Sequence, residues 1–188
     1  IGRGWVGLGV ADSLAVGGIV MRNPVFLISP PDQATDTIEV ISAVLGNAFM
    51  RKAERFTIDN RTRHIVFPAE RTLHADGTKR MANMMLNSFQ PYVRIHADGI
   101  PLLFHFDTGN VATTLYPPYY ELFREQVDSC GVEDTVRIGG FAGVAENVCY
   151  RLPSVEFTLE GVPFTLRDID VLPSGSAGAT AGSEAGSL

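Results

Sequence analysis

Runs rich in Val, Ile, Phe and Thr recur along the chain, punctuated by Gly17-Gly18, Asp59-Asn60, Asp98-Gly99, Gly139-Gly140 and Glu160-Gly161. Residue pairs of this kind tolerate the positive φ of two-residue turns, so each predicts a tight hairpin between antiparallel strands. Before Asp98, Tyr92, Arg94 and His96 alternate with Val93 and Ile95, which predicts a half-buried strand. After Gly99, residues 100–106 are nearly all apolar and predict a buried one. Two stretches carry helical patterns. Pro117-Pro118 opens a helix that runs to Val127, with Gly131 as its stop and Tyr119, Leu122, Phe123 and Gln126 on one face. A shorter one follows Leu45-Gly46, from Asn47 to Glu54, and precedes a strand pair over 55–67. The expectation is a mostly β protein with two short helices.

The polar stretch 70–79, with His74, Asp76 and Gly77, lacks apolar periodicity and reads as a linker. It suggests a first domain over 1–69, a linker over 70–90 and a second domain over 91–188. Residues 174–187 are almost wholly Ser, Gly, Ala and Thr, so 174–188 is expected to be a mobile tail. An internal echo links the two sides. Gly18-Ile19-Val20-Met21-Arg22-Asn23 and Gly161 to Asp168 are each followed by a short apolar run ending in Pro, then a loop, then Ala43-Val44-Leu45-Gly46 or Ala185-Gly186-Ser187-Leu188. The order is kept, as in two incomplete copies of one module.

Composition narrows the function classes. The 188 residues are 45% hydrophobic and 19% charged, which argues against disorder and against a coiled coil. A net charge of -6, with basic runs no longer than a pair such as Arg51-Lys52, argues against a nucleic-acid partner. Each apolar run is interrupted well short of the roughly 18 residues of a membrane span, so none is expected. No basic segment followed by an apolar stretch opens the chain, so a signal peptide is not expected within it. Cys130 and Cys149 make neither a disulfide framework nor a zinc site; the expectation is two buried free thiols, the alternative a bridge at the base of the hairpin they flank. His64, His74, His96 and His105 are scattered, so neither a metal nor a cofactor is expected. No Gly-x-Ser-x-Gly setting supports a serine nucleophile.

Asp107-Thr108-Gly109 follows the apolar strand. The plain reading is a turn, with Asp accepting backbone hydrogen bonds and Gly relieving the chain. A carboxylate at the end of a buried strand is nevertheless costly unless it is satisfied or used. Residues 138–143, Ile138-Gly139-Gly140-Phe141-Ala142-Gly143, read as a glycine-rich hairpin able to close over a cleft.

These motifs together resemble the retropepsin-like, pepsin-type aspartic peptidases. The resemblance rests on Phe106-Asp107-Thr108-Gly109, Thr113-Thr114-Leu115, the flap-like 138–143, the Leu-Gly turn and helix at Val44 to Met50, and the strands Phe56 to Asp59 and Ile65 to Phe67. It implies closed β-barrel lobes, the back part of one lobe in 1–69 and the front part of another in 91–188. It further implies hydrolysis of peptide bonds by water held between two carboxylates that share a proton. Asp107 would be one of the pair, Thr108 would brace its turn, and Gly109 would let backbones approach. Gly139, Gly140, Phe141, Ala142 and Gly143 would cover an extended polypeptide substrate. The second aspartate would come from another lobe or from a homodimer partner, because Asp12-Ser13-Leu14, Asp36-Thr37-Ile38 and Asp98-Gly99-Ile100 lack the motif. Asn110 departs from the small Ala or Ser that the family carries after the glycine. The resemblance leans toward an extracytoplasmic or secreted setting. Two rival readings remain: a catalytically silent peptide-binding or dimerisation module of the same fold, and a structural β domain in which Asp107 caps a turn.

Overall fold

A computed structural model describes residues 5–28, 43–68, 83–87, 90–110, 112–140, 143–174 and 184–188; the side chains of 139, 140 and 143 are not described. Among the described residues the chain is mostly strands, with three helices. It divides into two compact units, Arg3–Arg80 and Met81–Leu188.

In the first unit, β1 (Gly7–Val10), β2 (Ser13–Val16), β3 (Ile19–Arg22) and β4 (Val25–Ile28) form one long hairpin. β2 pairs with β3 and β1 with β4, all antiparallel and in a single register. The turn is Gly17-Gly18, with φ of 52° and 80°, the geometry that matches the twist of the flanking strands. Ladder pairing is interrupted beside Asn23, which has φ 49°. On one face Leu8 opposes Leu27 and Val10 opposes Val25, and all four are exposed. α1 (Asn47–Ala53) begins after Gly46 and buries Phe49 and Ala53, the i, i+4 stripe of a short amphipathic helix. The Phe49 ring meets Phe67 edge-on at 5.8 Å. β5 (Thr57–Asp59) and β6 (His64–Val66) pair around a loop longer than the expected two-residue turn. Asp59 Oδ1 accepts the Arg61 and Thr62 amides, so a side chain supplies the bonds that a tight turn would have made.

The second unit is built on one sheet. β7 (Met84–Asn87), β8 (Gln90–Ala97), β9 (Ile100–His105), β10 (Thr114–Leu115), β11 (Val132–Gly140), β12 (Gly143–Leu159), β13 (Val162–Val171) and β14 (Gly186–Ser187) lie in the order β11-β12-β13-β10-β14-β9-β8-β7. Thr158 on β12 also pairs with His96 on β8. β7 falls inside the stretch 70–90 expected as a linker and pairs with β8, while 70–79 lies outside the described residues. The turns at Asp98-Gly99 and Glu160-Gly161 have φ near +48° to +79° at both residues, as their sequence predicts. Gly139 and Gly140, expected as a turn, instead continue β11 and pair with Val144 and Gly143, while residues 141–142 lie outside the described residues.

β12 and β13 repeat the geometry of the first unit. Their long hairpin keeps one register through an interruption where Pro153 faces Asp168, and Asp168 has φ 53° just as Asn23 does. Pro offers no N–H to a ladder, so the break sits where a donor is missing anyway. The echo in the sequence is thus an echo in backbone conformation.

The expected helix from Pro117 is two: α2 (Pro117–Leu122) and α3 (Arg124–Cys130), parted at Phe123 with φ -117° and ψ 26°. Backbone bonds still run from Phe123 to Tyr119 and from Val127 to Phe123, so the break is a kink. The inward stripe is Tyr119, Phe123 and Val127, whereas Leu122 and Gln126 face out. The core gathers Val93, Ile95, Leu102, Phe104, Leu115, Tyr119, Val127, Leu152, Phe157, Ile169 and Val171. Phe157 touches the rings of Phe104, Tyr119 and Phe164, which makes it the centre of the aromatic packing. Cys149 is buried but Cys130 is exposed, and both are free thiols.

Candidate active site

β9 alternates as its residues require: Leu102 and Phe104 enter the core, and His105 takes the other face. Phe106 N–H bonds Pro91 O, and there the ladder with β8 ends. Asp107-Thr108-Gly109 then turn into solvent, and all three are exposed. Asp107 Oδ1 accepts the Gly109 N–H at 2.9 Å, and the Asp107 carbonyl accepts the Asn110 N–H at 3.1 Å. A Cβ at 109 would stand 3.3 Å from Asp107 Oδ1, so glycine leaves the carboxylate its place. Thr108, expected to brace the turn, makes no side-chain hydrogen bond among the described residues; the Gly109 amide does that instead.

What holds this loop is the segment expected to be a mobile tail. Residues 184–188 are ordered against both strands of the candidate site. β14 lies parallel to β9 and antiparallel to β10, with Gly186 beside Phe104 and Leu115. Asp107 N–H donates to Leu188 O, Leu188 N–H to His105 O, Ala185 N–H to Leu103 O and Tyr116 N–H to Ala185 O, at 2.7–2.9 Å. Every peptide group so paired is withdrawn from water without loss, which is why a Ser- and Gly-rich stretch can sit in a sheet centre.

Register sorts the side chains. Val93, Phe104, Gly186, Leu115, Val171 and Tyr150 are successive cross-strand partners, and this row faces the core. One residue over, Tyr92, His105, Ser187, Thr114, Asp170 and Arg151 form the neighbouring row on the opposite face. A polar band therefore crosses the sheet beneath the Asp107 turn. Within it Tyr92 and His105 rings lie 5.5 Å apart. Ser187 Oγ accepts from Asn110 Nδ2 at 3.3 Å. Arg151 joins Asp170 at 3.0 Å and Asp134 at 2.8 Å.

The electrostatics follow from burial. Tyr116 is held above the ordinary phenol range by burial; the Ser187 hydroxyl opposes this, and the Glu184 and Asp107 carboxylates add to it. Tyr92 is raised by burial and then by Glu184. Both phenols are thus neutral donors at acidic and neutral pH. Cys149 is pushed up to about 11, by burial first and by Asp170 and Asp134 after it.

The structure brings Asp107 and Gly109 together with Asn110, Ser187 and Leu188, of which sequence reasoning singled out only the first three for the site. The one signal for β14 was the echo of Val44-Leu45-Gly46 in Gly186-Ser187-Leu188. Among the described residues the Asp107 carboxylate has no hydrogen bond to a second carboxyl group, and no cluster of metal-ligating side chains occurs. Phe141 and Ala142 lie outside the described residues, as do the side chains of Gly139, Gly140 and Gly143. No helix among the described residues is long and apolar enough to cross a membrane. No family model matches the chain, and no curated protein matches it.

Proposed function

We propose that the chain is an aspartic-type endopeptidase of retropepsin-like fold, with Asp107 as one carboxylate of a dyad. The observation that carries this reading is the way Asp107 is held. It is an exposed carboxylate at the end of a buried strand, fixed by the Gly109 amide on its oxygen and by β14 on its own amide. A turn-capping Asp needs only the first of these ties. The Thr158–His96 pairing of β12 with β8 supports reading the strands between them as one closed barrel lobe.

The chemistry then needs a second carboxyl, brought from another copy of the chain or from a further lobe. Two carboxyls about 3 Å apart hold a single proton: the ionised one draws a proton from water, and the protonated one donates to the peptide carbonyl. A polypeptide would lie as an added strand under the β11–β12 hairpin, held through its main chain. The silent binding module remains the second reading, favoured by the lack, among the described residues, of a second carboxyl bonded to Asp107.

The deciding experiment is cleavage of an unfolded protein at mildly acidic pH by the chain and by Asp107→Asn, across a range of chain concentrations. Cleavage that rises steeply with concentration and is abolished by the substitution supports a dyad shared between copies. Cleavage that survives Asp107→Asn, or is absent throughout, defeats the hydrolase reading. A statine-type inhibitor bound no better than a plain peptide points to the silent module.

A further inference from the structure

We propose that Ser187 is a positioning residue: its hydroxyl holds Asn110, just past the candidate carboxylate, and so fixes the Asp107 turn on the threaded strand. This rests on the peptidase reading and adds to it a device specific to this chain, since Asn110 stands where the resembled family has a side chain too short for the same reach.

The geometry is economical. Between Asp107 and Thr114 the chain leaves one strand and enters another, and its exposed turn has little packing to hold it. Backbone ties fix its start, at Asp107 N–H to Leu188 O and Asn110 N–H to Asp107 O. Asn110 Nδ2 to Ser187 Oγ, at 3.3 Å, is the side-chain tie farther along, and Ser187 is itself 6% exposed. The strand that carries it is anchored in turn by Tyr116, whose amide bonds Ala185 O. The turn that leaves β9 is therefore tied to β14 through a single side-chain oxygen. Ser suits the place because its hydroxyl accepts from an amide, while its small size lets β14 lie between two close strands. A reacting carboxylate displaced by about 1 Å loses up to roughly a hundredfold in rate, so a tie at this point is felt in turnover rather than in binding.

The test compares the chain with Ser187→Ala, Asn110→Ala and Ser187→Thr. In peptide cleavage, Ser187→Ala and Asn110→Ala are expected to lower kcat about tenfold with KM unchanged, and Ser187→Thr to recover most of it. The Tyr116 phenol, followed by NMR titration, should move upward in Ser187→Ala because the hydroxyl that lowered it is gone. Should Ser187→Ala fail to fold, Asn110→Ala, an exposed substitution, decides alone. Unchanged kcat in both alanine variants overturns the proposal. If the unaltered chain cleaves nothing, the peptidase reading fails separately, and the tie is judged by amide exchange at Gly109 and Asn110. Exchange about tenfold faster in Ser187→Ala upholds the tie, and unchanged exchange overturns it.

Discussion

Gly186→Ala probes the threading of β14 most directly. A Cβ at 186 would meet the Thr114 carbonyl oxygen at 2.6 Å, Phe104 Cε1 at 3.0 Å and Leu115 Cδ2 at 3.2 Å. The first of these is backbone in a paired strand, so no rotamer change relieves it. Crowding of this kind costs roughly 1–3 kcal/mol. Pushing β14 outward also strains its bonds to Leu103, His105, Tyr116 and Asp107, each worth about 0.5–1.5 kcal/mol net. If two of the four weaken, the loss grows by about 1–2 kcal/mol, and the lower chain entropy of Ala returns about 0.5–1 kcal/mol. The net expectation is destabilisation of about 2–4 kcal/mol. Urea unfolding reads this as a fall in midpoint of about 1–2 M at unchanged slope, for a slope of about 2 kcal/mol/M. A midpoint that moves by less than about 0.3 M would refute the close threading of β14 between β9 and β10.

Other consequences are open to measurement. Phe157→Ala removes the ring shared by Phe104, Tyr119 and Phe164 and should cost about 3–5 kcal/mol in equilibrium unfolding; a loss below about 1 kcal/mol would mean the cluster is not the centre of the core. In the native chain a thiol reagent should label Cys130 promptly and Cys149 only on unfolding, since one is exposed and the other buried. The Cys149 thiol, about 11 when folded against 9.0 as its reference, binds its proton more tightly in the folded state. Its contribution to stability is complete below pH 9 and is lost as pH rises from about 9 to 11, and Cys149→Ala should remove that part of the slope. Arg151→Met takes the cation from between Asp134 and Asp170 and should lower the thermal midpoint, with Asp170→Asn in the same chain recovering part of it.

How much of this was legible in the residues depends on the range of the forces involved. Gly17-Gly18, Asp98-Gly99 and Glu160-Gly161 announced their turns because positive φ is a local demand that few residues meet. The α1 start after Gly46 and the alternation of Val93, Ile95 and Ala97 were likewise local. Gly139-Gly140 misled because the same residues also serve in a strand, where the neighbour across the ladder decides. Phe123 broke a continuous helical pattern while its ring packed 4.6 Å from Tyr119, a preference invisible to periodicity.

The candidate site divides in the same way. Asp107, Thr108 and Gly109 stand out in the sequence because a carboxylate at the end of an apolar strand is an anomaly within a few residues. Ser187 did not, since it is not unusual in its own setting, and the bond that unites it with Asn110 closes a loop of 77 residues. Residues 184–188 carry the composition of a solvated tail, and nothing local favours a strand there. Their order comes from the unpaired edges of β9 and β10, whose amides and carbonyls must bond something once buried. Local chemistry thus sets the turns, the alternation and the acid, while the partner of each strand edge is chosen only when distant segments compete to cover it.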